Sequence, residues 1–127
     1  MSSAQEKRRT RRVPIHFKVK VETVKGTFNG MGRDISEGGI GVYLKKLPRI
    51  GSPVEVIFQL PNAESSVQIT GEVMYHHRGG AGVRDDWMGI RFVRMDAYSQ
   101  SQILKFVKTN SDGSQPYFKT PPPLPSK

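Results

Sequence analysis

Cysteine is absent from the 127 residues, and with it go a disulfide framework, a thiolate zinc site and a cysteine nucleophile. A reducing, cytoplasmic setting is the expectation. Long apolar stretches are absent too. The apolar runs last only a few residues, far short of a membrane span, and the basic segment Met1–Arg12 lacks the apolar stretch of a secretory signal. A soluble protein without membrane insertion is expected. Acidic residues are scarce, 11 against 20 Lys and Arg, for a formal net charge of +9. That balance favours an anionic partner, whether a nucleotide, a nucleic acid or an acidic surface, and is silent on fold. Histidine is limited to His16, His76 and His77. Adjacent strand residues point to opposite faces and His16 falls on an outer face by its alternation, so no metal site is expected. Ser36 has no recognisable His–carboxylate pair to activate it, and Asp85-Asp86 lacks EF-hand spacing and reads as a solvated loop. No catalytic residue, no enzyme activity and no cofactor are expected.

What is present fits one domain, since the span between the terminal tails can bury a single core and is too short for two. Met1–Arg12 carries five basic side chains, Lys7, Arg8, Arg9, Arg11 and Arg12, and reads as a mobile arm (1–12). From Val13 the pattern becomes strict alternation: Ile15, Phe17, Val19 and Val21 against His16, Lys18, Lys20 and Glu22, the signature of a half-buried strand. Lys25-Gly26 is a turn, and a second strand runs from Thr27 towards Ile35, weakened by Gly30 and Gly32. Further strands are expected at Ile40–Leu44, Val54–Leu60, Val67–Tyr75 and Trp87–Arg94. Val67, Ile69, Val73 and Tyr75 share one face of the fifth, and Met88, Ile90 and Phe92 point inward from the sixth. Six short antiparallel strands with turn signals between them make a mainly β barrel or sandwich.

Asp96 is a suitable helix N-cap, and Ile103, Leu104, Phe106 and Val107 form an apolar stripe, predicting a C-terminal helix of about three turns packed on the barrel. The folded unit is thus 13–110. From Ser111 the composition turns to Ser, Gly, Gln and Pro, with five of the nine prolines beyond Gln115, so 111–127 reads as a disordered, Pro-rich tail.

Two segments carry candidate binding chemistry. In Arg8-Arg9-Thr10-Arg11-Arg12, planar guanidinium groups can grip a phosphate with paired hydrogen bonds and stack on a purine. In Asp34-Ile35-Ser36-Glu37-Gly38-Gly39, a carboxylate can accept two hydrogen bonds from the Watson–Crick edge of guanine. A hydroxyl can bridge, and glycine permits close backbone approach. Taken singly, the first is also a solubilising arm and the second a plain turn.

Together they resemble the hallmark of the PilZ domain, the bacterial receptor module for the second messenger cyclic dimeric GMP (cyclic di-GMP): RxxxR followed, one strand later, by (D/N)xSxxG. Gly71-Glu72-Val73-Met74-Tyr75 and Met88-Gly89-Ile90-Arg91-Phe92 look like the family's late strand pair, so the resemblance spans Lys7 to Asn110. It implies a six-stranded antiparallel PilZ-type β-barrel with a C-terminal α-helix. It also implies a ligand site in which Arg8 and Arg12, assisted by Arg9, meet phosphates and purines. Asp34 and Ser36 would hold a guanine edge, and Gly39 would keep the backbone close. Tyr75, where the family often has Trp, is the candidate stacking ring. Ordering of the arm would signal to a downstream protein that the sequence does not identify, in processes such as motility or biofilm formation. Two other readings compete: a small basic barrel binding RNA or single-stranded DNA, and a PilZ scaffold working without nucleotide. The intact motifs argue against the scaffold. Clustering of charge in the arm, with few outward aromatics expected, disfavours nucleic acid.

Overall fold

Alternation of branched apolar residues with polar ones drives the chain into strands whose inner faces meet in one core. The computed structural model describes residues 11–79 and 86–111. Its elements are β1 (Val13–Pro14), β2 (Lys18–Thr23), β3 (Gly26–Ile35), β4 (Gly39–Tyr43), β5 (Pro53–Phe58), β6 (Val67–His77), β7 (Trp87–Met95) and α1 (Ala97–Ser111). All pairings are antiparallel, in the order β3-β2-β5-β6-β7-β4, and β4 returns to β3 to close a six-stranded barrel. Val19, Val21, Ile35, Ile40, Val42, Val56, Ile69, Val73, Met88 and Ile90 fill the interior.

The seventh strand, β1, is extra to the barrel. The alternation from Val13 predicts one continuous strand; instead the ladder is interrupted between Pro14 and Lys18. Pro14 has no N–H to contribute. The chain nevertheless stays on β3, through Ile15 N–H donating to the Arg33 carbonyl (3.0 Å) and Gly32 N–H donating to the Phe17 carbonyl (2.8 Å). The two paired residues of β1 match Val13 with Ile35 and Pro14 with Asp34, and Val13 is buried.

The glycines that weaken the sequence signal of β3 are required by its packing. A Cβ at Gly30 would lie 2.3 Å from the Tyr43 carbonyl oxygen, and one at Gly32 would lie 2.4 Å from Ile15 Cδ1. Close approach of neighbouring segments, the Tyr43 backbone at Gly30 and the Ile15 side chain at Gly32, explains both, and not turn formation.

Helix α1 is 15 residues long, a turn longer than the apolar stripe suggests. Ile103, Phe106 and Val107 are buried, but Leu104 is 41% exposed, which removes it from the expected stripe. The buried positions continue instead through Ser99 and Asn110, the i, i+4, i+7 progression of one helical face. Phe106 meets the edge of Phe17 (6.4 Å between centroids), which stacks on Phe58 (5.5 Å). At the N-terminus Asp96 caps as expected: its Oδ1 accepts from Ser99 N–H at 2.7 Å. That backbone donor, with the Ser99 hydroxyl, holds the carboxyl below its ordinary 3.8.

Two outcomes follow. Gly30→Ala should lower stability by about 1–3 kcal/mol, because backbone rather than a flexible side chain must yield; thermal denaturation reads this directly. A depressed folded-state pKa at Asp96 means that its stabilisation is complete above the unfolded value and is lost as pH falls through the folded one. The pH dependence of Tm below about pH 4 should therefore be shallower in Asp96→Asn, which keeps a capping oxygen without titrating.

Candidate functional site

The β1–β3 register brings the two sequence motifs together. With Val13 opposite Ile35, the preceding residue Arg12 reaches the turn that begins at Ser36. Its Nε and NH2 donate to Asp34 Oδ1 at 3.1 and 3.0 Å, and its NH1 donates to Ser36 Oγ at 3.3 Å. Arg12, Asp34 and Ser36 thus form one cluster. Arg8 and Arg9 lie outside the described residues.

Asp34 faces outward because β3 carries a bulge. Gly32 pairs with Val42 and Asp34 with Gly41, so Arg33 is the extra residue. Strict alternation from buried Gly32 would turn Asp34 inward; the inserted residue turns it outward and leaves Arg33 on the same outer side. Arg33 NH1 pairs with Asp34 Oδ2, so both carboxylate oxygens are engaged by arginines. Arg33 also lies over the Trp87 ring, with Cζ 4.0 Å from the centroid.

Ser36 is 1% exposed. Its Oγ accepts from Gly38 N–H (3.2 Å) and donates to the Gly39 carbonyl (3.4 Å), while Ser36 N–H donates to that same carbonyl at 2.8 Å. It is a turn-closing hydroxyl as well as a partner of Arg12. Gly39 sits where a Cβ would come 2.5 Å from the Ile90 carbonyl oxygen, so the close backbone approach expected of it is between β4 and β7.

From Asp34 a row of paired residues crosses the outer wall: Asp34 with Gly41, Gly41 with Gly89, Gly89 with Tyr75. The two central glycines leave a shallow floor. The space of a Gly41 Cβ is taken by Asp34 Oδ1 and the Trp87 ring, and that of Gly89 by the Tyr75 ring. Tyr75 belongs to this outer face and not, as alternation from Val73 predicts, to the core: a second bulge, with Met74 the extra residue, reverses its direction. It is 46% exposed and meets Trp87 edge-on at 5.6 Å, and His77 tilts against the same indole at 5.2 Å.

Arg33 and Trp87 are the residues that the motif reading misses. Trp87 was legible in part, because the inward series Met88, Ile90, Phe92 leaves it facing outward as the chain's single Trp. Arg33 was not, since nothing local announces a bulge. Beyond Trp87, Arg78 NH1 bonds Asp86 Oδ2 and Gly79 N–H bonds Asp86 Oδ1, both at 3.0 Å. These donors, the Gly79 N–H foremost, hold the Asp86 carboxyl below 3.8. Asp85 lies outside the described residues. Among the described residues no group of three or more His, Asp and Glu could hold a metal ion, and no helix is long and apolar enough to cross a membrane.

Two cavities lie away from this face among the described residues. One of about 460 Å³ lies between Leu60–Asn62 and α1, and one of about 550 Å³ lies between the β2–β3 turn and residues 46–53. The Asp34 site is an open, cationic and aromatic face, suited to a flat anionic ligand.

The PilZ domain model matches residues 6–109, and the chain belongs to the PilZ family. Solved structures share the fold. The Bacillus subtilis inhibitor of motility MotI/DgrA is 17% identical with a TM-score of 0.69, covering 82% of this chain and 51% of its own length. The PilZ domain of Escherichia coli YcgR with c-di-GMP is 13% identical with a TM-score of 0.60, covering 80% of this chain and 88% of that one. The Klebsiella pneumoniae MrkH–c-di-GMP complex is 15% identical with a TM-score of 0.64, covering 80% and 51%. No curated protein matches the chain.

Because Ser36 is buried and closes its turn, Ser36→Ala should cost about 1–2 kcal/mol of stability, measurable by urea denaturation at constant m-value.

Proposed function

We propose that this chain is a receptor for cyclic di-GMP that regulates a partner protein and catalyses no reaction. The observation that carries the reading is the meeting of the two motifs, with Arg12 bonded to both Asp34 and Ser36. Solved PilZ relatives with the same fold hold c-di-GMP, which supports the choice of ligand. In this reading Asp34 exchanges its arginine partners for a guanine Watson–Crick edge, Arg12 moves to a phosphate, and Arg8 and Arg9 close over the ligand from the arm. Ser36 and Gly39 keep the turn in place, and Tyr75 bounds the base.

Output follows from the arm. Fixing its backbone costs about 1–2 kcal/mol per residue, so part of the binding energy is converted into a new surface that a downstream protein can read. A motility inhibitor among the structural relatives makes a motility or biofilm partner a natural candidate.

Isothermal titration tests the reading. Cyclic di-GMP should bind saturably and GTP should not. Asp34→Ala should weaken binding about 30-fold or more, the loss expected when one partner of a desolvated charged pair is removed. Arg12→Ala should weaken it less, because the same change releases Asp34 from a competing ion pair. Binding should also depend only shallowly on salt, since two phosphates are neutralised. Steeply salt-dependent binding of a single-stranded oligonucleotide, with no response to the dinucleotide, would establish the nucleic-acid reading instead. No response to either would leave a scaffold.

A further inference from the structure

We propose that Trp87 is a base-stacking platform of the cyclic di-GMP site and that Arg33 is its resident occupant, a guanidinium that guanine displaces. The inference rests on the receptor reading above and names two residues that set its affinity.

Asp34 would have to offer a guanine both of its carboxylate oxygens. The Watson–Crick edge of that base presents N1–H and N2–H side by side, a donor pair that fits two carboxylate oxygens. Both oxygens are already occupied: Oδ1 by Arg12 and Oδ2 by Arg33. Of these two arginines, Arg33 also lies over an aromatic ring, its Cζ 4.0 Å from the Trp87 centroid. A guanidinium is a planar, nitrogen-rich donor that stacks on indole and bonds carboxylates through its edge. Guanine contains the same N–C(–N)–N unit fused into its ring. Arg33 therefore satisfies both features of the face, the carboxylate acceptor and the aromatic surface, that a bound guanine would use.

The surroundings fit this role. The bulge puts Arg33 and Asp34 on one side of the wall, and Gly41 lets the carboxylate and the indole converge: a Cβ there would lie 2.8 Å from Asp34 Oδ1 and 3.3 Å from the Trp87 ring. Tyr75, edge-on to the indole, holds the platform's orientation. The Arg33 side chain is 38% exposed and can leave into solvent without opening the core. Displacing Arg33 then costs one partly exposed ion pair and one cation–π contact, beside the Asp34 pair that Arg12 exchanges for a phosphate, and what replaces the cation–π contact is a larger ring on the same indole.

Trp87 is the only tryptophan, so its emission reports this platform alone. The experiment titrates cyclic di-GMP into the full-length protein, Arg33→Ala and Arg33→Gln, by calorimetry and by Trp87 fluorescence. Expected are quenching of Trp87 emission on binding and affinity about tenfold higher in both Arg33 variants, the sum of a lost surface ion pair and a lost cation–π contact. Equal or weaker binding by the Arg33 variants, or calorimetric saturation with Trp87 emission unchanged, would overturn the inference and leave the receptor standing. Absence of heat and of emission change in all three proteins would overturn the receptor reading, and this inference with it.

Discussion

Which side of the barrel wall Asp34 faces depends on one extra residue in β3. In an unbroken pleat the carboxylate would point into a core of Ile, Val and Met, where an unpaired charge is not tolerated. The inserted Arg33 turns it outward, where Arg12, Ser36 and the glycine floor can meet it. The interruption of the first expected strand belongs to the same geometry: β1 pairs alongside Asp34 and Ile35, β2 pairs from Met31 onward, and the chain between them bridges the bulged stretch. A second insertion at Met74 performs the equivalent reversal for Tyr75. The site is therefore assembled by two local departures from alternation, one in β3 and one in β6.

This explains what could be read in advance. The expected series Val19-Val21 and Met88-Ile90-Phe92 are buried, since each lies in a stretch where period two is unbroken. Asp96 declared the helix start because a cap is a local interaction between a side chain and the next turn. The motif residues Arg12, Asp34 and Ser36 were legible as chemistry, and their convergence was legible only through family resemblance. Tyr75 was assigned to the wrong face, and Arg33 and Trp87 were not connected to the site. A bulge is a property of two paired strands, and one strand's sequence does not contain its partner's register. The glycines misled in the same way: Gly30 and Gly32 look like weakness in a strand, yet both answer to atoms on neighbouring segments, Tyr43 and Leu44 for one and Ile15 for the other.

Electrostatics complete the picture. In a chain with excess positive charge, one carboxylate is held here by two guanidinium groups, so the cluster carries a surplus of donors. Such a surplus favours an anionic group over a neutral one.

Val13 is placed as a pivot. It is 1% exposed and paired with Ile35, and Pro14 behind it has a fixed φ. Rotation that frees Arg12 can therefore be taken up on the N-terminal side of Val13 without unzipping the barrel.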